Sequence, residues 1–213
     1  MAKKIKASDL VKFAYSIIGT PYVYGMRGKK MTESDYDRLK KQYGDLVWDS
    51  DKEKVGKVCC DCSGLFEWAG SVSMSSSGWY DSANVREPIS KAKDMPIGTI
   101  LWHKGHVGII SKIEGNEVFY IACDGSAYGC REANIKQANF THCLLVEKYF
   151  EYDTKEDDEV VTQENIIVNG EEYTVKLIRK DDITYLCTRD ISPIFNFDVD
   201  YKGKMPILTS KKK

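Results

Sequence analysis

Apolar and polar positions along this chain follow two periods, helical in the first third and strand-like beyond it. Leu10, Phe13, Ala14, Ile17 and Ile18 recur at helical spacing behind Ser8, which reads as an N-cap, and Gly19 supplies the stop. A second stripe, Leu65, Trp68 and Ala69, follows Asp61, whose position suggests an N-cap with Cys62 and Ser63 in the opening turn. Between the two lies a long polar stretch, residues 25–61, in which Thr32 would cap a helix carrying Tyr36, Leu39 and Tyr43. That stretch reads either as surface ornament or as a wall or lid over a cleft. Residues 71–82 are rich in Ser and Gly and predict a loop with Trp79 and Tyr80 embedded in it.

Short strand-like runs follow at Thr99–Trp102, Val107–Ser111, Glu117–Ala122 and Cys143–Phe150. Turns at Glu114-Gly115-Asn116 and Asp124-Gly125-Ser126 separate them. Helices on one side of a small antiparallel sheet make residues 1–150 an α+β domain. Residues 151–163 are mostly acidic and predict a solvated linker. In residues 164–208, Asn169-Gly170 joins two strands as a hairpin. Strands at Tyr185–Thr188 and Val199–Tyr201 and a short helix near Arg189–Phe195 complete a small β-rich domain, and residues 209–213 form a basic tail.

A formal net charge of −1 argues against a dedicated nucleic-acid binder. No apolar stretch approaches the roughly 20 residues of a membrane span. Met1 to Lys6 is basic but lacks an apolar segment behind it, so the expectation is a chain made in the cytoplasm without a signal peptide, or one whose leader was removed. Seven cysteines cannot all pair within one chain, which favours reduced thiols.

Chemistry concentrates at Cys62 and His106. A nucleophilic thiol needs thiolate character, which a helix start and a neighbouring imidazole would supply. The competing reading of Cys62 is a small buried hydrophobe, and Cys59-x-x-Cys62 also fits a redox pair or half a zinc site. Of His103, His106 and His142, only His106 opens a Val-Gly-Ile-Ile strand able to hold a ring rigidly. Its far nitrogen needs an acceptor to fix the tautomer. Asp124 is the nearest polar candidate, with a simple turn role before Gly125 as the alternative.

Four segments, Gly19-Thr20-Pro21-Tyr22-Val23-Tyr24-Gly25, Asp61-Cys62-Ser63-Gly64-Leu65, Pro96-Ile97-Gly98-Thr99-Ile100-Leu101-Trp102 and Gly105-His106-Val107-Gly108-Ile109, resemble the NlpC/P60 family of papain-like cysteine peptidases. Two positions depart from the family pattern. Thr99 stands where Asp is usual, and the third polar residue falls near Ile121, which cannot orient an imidazole. The resemblance implies Cys62 as nucleophile, His106 as base, and Tyr24, Asp61 and Ser63 lining a substrate cleft, with Asp61 accepting from a substrate amine. It implies peptidoglycan stem peptides as substrate, a γ-D-glutamyl–diamino acid bond or an amidase variant, and no metal or cofactor. The C-terminal segment, through Val168-Asn169-Gly170, Tyr185-Leu186-Cys187-Thr188-Arg189-Asp190 and Phe197-Asp198-Val199, is similar to the stalk or copper amine oxidase N-terminal-like module. That likeness implies attachment to the cell wall without copper chemistry, and together with the missing leader it suits a phage-type lysin. The alternatives are a catalytically degenerate binding or assembly protein and a cytosolic Cys-x-x-Cys redox or zinc protein.

Overall fold

Strands that read as nearly continuous apolar runs are those buried on both faces, and Ile100-Leu101 and Val107–Ile110 behave in this way. The computed structural model describes residues 4–152, 162–180, 183–202 and 205–211, and the chain divides into two units, Met1–Asp153 and Thr154–Lys213. The first runs β1 (Ile5–Lys6), α1 (Ala7–Ser16), β2 (Arg27–Lys30), α2 (Glu33–Tyr43), β3 (Val58–Cys60), α3 (Gly64–Trp68), α4 (Ser76–Ser82) and β4 (Val85–Pro88). It continues through β5 (Ile100–His103), β6 (His106–Glu114), β7 (Glu117–Cys123), β8 (Cys130–Asn134), β9 (His142–Leu145) and β10 (Phe150–Glu151).

The central sheet has the order β4-β9-β5-β6-β7-β8 and is antiparallel throughout. One face presents Ile100, Val107, Ile109, Ile121 and Leu144 to Leu10, Ala14, Leu65, Phe66 and Trp79. The other presents Leu101, Ile110, Tyr120 and Ala122 to Ala92, Met95 and Phe140. Helices were expected on one side only; the second face is also covered, by the 3-10 segment Ile89–Asp94 and by Phe140. Gly108 makes room for the latter, since a Cβ there would lie 3.1 Å from the Phe140 ring and from the Ile121 carbonyl.

Several sequence expectations shift. α1 is capped by Lys6 without a side-chain hydrogen bond, so Ser8 lies inside the helix. Residues 76–82 are helical because Ser75 accepts from Gly78 N–H at 3.1 Å and because fully buried Trp79 packs on Phe66, with centroids 4.8 Å apart. The run Cys143–Phe150 breaks into β9 and β10, and β10 pairs in parallel with β1. α2 forms as expected, with a reciprocal capping box between Thr32 and Asp35.

The polar stretch 25–61 is neither ornament nor open lid in its packing. Met26, Met31, Tyr36, Leu39, Val47 and Cys59 bury a core of their own, and β2 pairs with β3 beside it. In the second unit β11 (Thr162–Val168), β12 (Glu171–Lys180) and β13 (Ile183–Leu186) form one sheet. The hairpin turn has Asn169 and Gly170 both at positive φ, 53° and 88°. Helix α5 (Thr188–Phe195) and the pair β14 (Phe197–Lys202) with β15 (Met205–Ser210) complete it. Most of the expected acidic linker and the last two residues of the basic tail lie outside the described residues.

Candidate active site

β3 delivers the chain into a tight turn at Asp61-Cys62-Ser63, and α3 begins at Gly64 rather than at Cys62. The Asp61 carboxylate holds this turn. Oδ1 accepts from Gly64 N–H at 2.6 Å and from the Ser63 hydroxyl at 3.0 Å, and Oδ2 accepts from Gly25 N–H at 2.8 Å. The N-cap position of α3 is Ser63 and not the expected Asp61; Asp61 holds the helix start from two residues upstream and ties it to the segment carrying Tyr24. A Cβ at position 64 would sit 2.4 Å from the Met26 carbonyl oxygen, which itself accepts from Asp61 N–H at 2.8 Å. Only glycine lets these two backbones meet.

Cys62 is 5% exposed. Its sulfur lies against the backbone of Val107 and of Ser63, contacts that favour thiolate. Burial, and then the Asp61 charge, outweigh them and push the thiol up to about 12. The expected activation by a helix start is opposed here by burial, and α3, which would support the charged form, has five residues.

His106 opens β6, stacked on Phe140 with centroids 5.7 Å apart and beside His103 at 5.3 Å. The β6–β7 ladder pairs Ile109 with Ile121, and continuing that register brings Asp124 opposite His106. The His106 Nε2 lies 3.1 Å from Asp124 Oδ1. A carboxylate can only accept, so Nε2 is assigned the proton and Nδ1 is left as the basic nitrogen. Asp124 Oδ2 accepts from the Tyr120 hydroxyl at 2.9 Å and from Arg131 Nε at 2.7 Å. Burial acts to raise the Asp124 carboxyl, but the hydrogen bonds from His106, Arg131 and Tyr120 together outweigh it and hold it below the ordinary carboxylate range. Ile121 faces the core, fully buried.

The structure thus joins His106 to Asp124, and packs Cys62 in one buried cluster with Val107, the residue after His106. The thiol and the imidazole do not hydrogen-bond to each other directly; such bonds are commonly long before substrate arrives. Tyr24 is half-buried, edge-on to Tyr43 at 5.0 Å. Asp61 and Ser63 are both buried; the Ser63 hydroxyl donates to Asp61, and the Asp61 carboxylate also accepts from backbone N–H groups. Cys59 belongs to the insertion's core and Cys62 to the main one, and all seven cysteines are free. Among the described residues no three His, Cys, Asp or Glu side chains gather as a metal site, and no helix is long and apolar enough to cross a membrane. Sequence reasoning missed Tyr120 and Arg131, the partners of Asp124. Arg131 sits on β8, a polar strand with no apolar alternation to announce it.

No family model matches this sequence. No curated protein matches it. Among solved structures, the crystal structure of the NlpC/p60 domain of peptidoglycan hydrolase SagA is similar at 20% identity, covering 66% of this chain and 99% of that one, with a TM-score of 0.38.

Proposed function

We propose that this protein is a cysteine peptidase that hydrolyses amide bonds in peptidoglycan stem peptides. The observation carrying the reading is the His106–Asp124 hydrogen bond, on a strand whose next residue, Val107, lies against the Cys62 sulfur. The four sequence segments that resemble NlpC/P60 peptidases supply the substrate class.

The chemistry follows from the resting thiol. As Cys62 Sγ attacks the amide carbonyl, its proton passes to Nδ1 of His106, and Asp124 stabilises the imidazolium through Nε2–H. The same proton then goes to the departing amine as the C–N bond breaks, which leaves a thioester. Water, deprotonated by His106, attacks the thioester, and the carboxylic acid and the free thiol are regenerated. In its finer form the reading places the scissile bond between D-glutamate and a diamino acid, gives the second unit a wall-attachment role, and suits a lytic enzyme of phage type.

Digestion of purified wall fragments, with mass analysis of the products, tests the proposal. New free amines and carboxylates should appear with the native protein and not with Cys62→Ala; intact fragments from both would overturn it. A second reading, a wall-binding protein without turnover, draws on the buried sulfur and the absent direct thiol–imidazole bond. It predicts retention of fragments without cleavage.

A further inference from the structure

The insertion between Gly25 and Asp61 contains a charge pair that the mechanism does not use. Asp51 is fully buried in the 3-10 turn Asp49–Lys54. Its Oδ1 accepts from Lys54 Nζ at 2.6 Å, and its Oδ2 accepts from Trp48 N–H at 2.9 Å and from the Ser126 hydroxyl at 3.1 Å. Lys54 Nζ also donates to the carbonyls of Ser126 at 2.9 Å and Tyr22 at 2.8 Å. All three ammonium hydrogens are thereby used.

The two carbonyls belong to different halves of the site. Ser126 is in the turn that begins at Asp124, closed by Asp124 N–H donating to Gly129 O at 2.8 Å. Tyr22 bridges to Cys60, two residues before the nucleophile. Gly129 presses on the same segment, where a Cβ would stand 2.7 Å from the Thr20 carbonyl oxygen. A buried ion pair is a poor source of net stability, because apolar groups of similar volume often serve as well or better. Its directional bonds do fix geometry.

We propose that Asp51 and Lys54 are positioning residues for catalysis, and that the insertion acts as a buttress holding the Asp124 turn so that its carboxylate stays on His106. The inference rests on the hydrolytic reading above. Removing one charge would strand the other, so the main variant is Asp51→Asn with Lys54→Met, made in the native and in the Asp124→Ala backgrounds. In the native background kcat should fall about tenfold with KM within about twofold; with Asp124 absent the same change should cost less than about twofold. The His106 ring 15N resonances, which report its bond to Asp124 without substrate, should move as well. Equal kcat losses in both backgrounds, or unmoved resonances, would overturn the proposal.

Should the double variant fail to fold, Ser126→Ala decides, because it deletes one hydrogen bond to Asp51. It should lower kcat about threefold, an effect that vanishes with Asp124→Ala, and shift the same resonances; no change in either overturns the buttress. If the native protein releases no fragments while the resonances move, the hydrolytic reading fails and the catalytic role with it, and what stands is the structural half alone, the insertion holding Asp124 on His106.

Discussion

Alkylation of Cys62 distinguishes a resting thiol from a preformed thiolate–imidazolium pair. With its acidity at about 12 against 9.0 for an ordinary thiol, Cys62 at neutral pH holds about a thousandfold less thiolate than a free cysteine. The more basic thiolate is the better nucleophile, with a sensitivity near 0.4–0.5, which restores a factor of about 15–30. The net expectation is alkylation by iodoacetamide slower than a small thiol of ordinary acidity by a factor on the order of ten to a hundred, and slower still if access is limited. Peptide mass analysis after timed quenching reads Cys62 directly, and half-exposed Cys187 serves as a reference in the same molecule. The rate should climb steadily from pH 6 to 10. A rate at pH 7 above that of the small thiol, with a plateau on the acid side, would show an ion pair at rest and refute the argument from burial.

His106→Ala should lower turnover by several orders of magnitude, with His103→Ala and His142→Ala within several-fold of the native protein; steady-state assays on wall fragments check this. Cys59→Ala and Cys60→Ala should keep most activity, and a Cys59→Ala variant as inactive as Cys62→Ala would favour the redox or metal reading. Asp124→Asn should destabilise by about 2 kcal/mol at neutral pH through its weakened charged hydrogen bonds. Because the folded carboxyl is held below its ordinary value, that contribution is present above the unfolded value of 3.8 and fades as pH falls through the folded one. Denaturant titrations at pH 7 and pH 3 should therefore show the gap to the native protein closing in acid. Gly64→Ala meets backbone and not a movable side chain; a loss of about 3 kcal/mol, with activity lost, is expected by melting and turnover measurements.

Local chemistry was the legible part of this chain. Thr32 and Asp35 specify the start of α2 three residues apart, and Asn169-Gly170 specifies its hairpin, because each depends on neighbours in sequence. A plain hairpin count from Glu114 opposite Glu117 would set Gly125 across from His106; the irregularity between Ile110 and Lys112 shifts the register by one and brings Asp124 there, so proximity was legible and the exact pairing was not. What escaped depends on distant contacts. α4 is built from Ser, Gly, Trp, Tyr and Asp, poor helix formers whose helix is held by the burial of Trp79. The acidity of Cys62 could not be read because desolvation comes from elements far along the chain, and the bond that Asp61 accepts from Gly25 spans 36 residues.

The parallel pairing of β1 with β10 brings Ile5 beside Phe150 and Lys6 beside Glu151, so the first and last described strands of the first unit lie side by side. Units closed in this way tolerate rewiring of chain order. A short Gly-Ser link from residue 152 to residue 4, with new termini cut at the tip between Glu114 and Glu117, would leave the segments bearing Cys62, His106 and Asp124 each unbroken. Asp124 would then leave the ribosome ahead of Cys62 and His106, an order separable from the shape the three adopt.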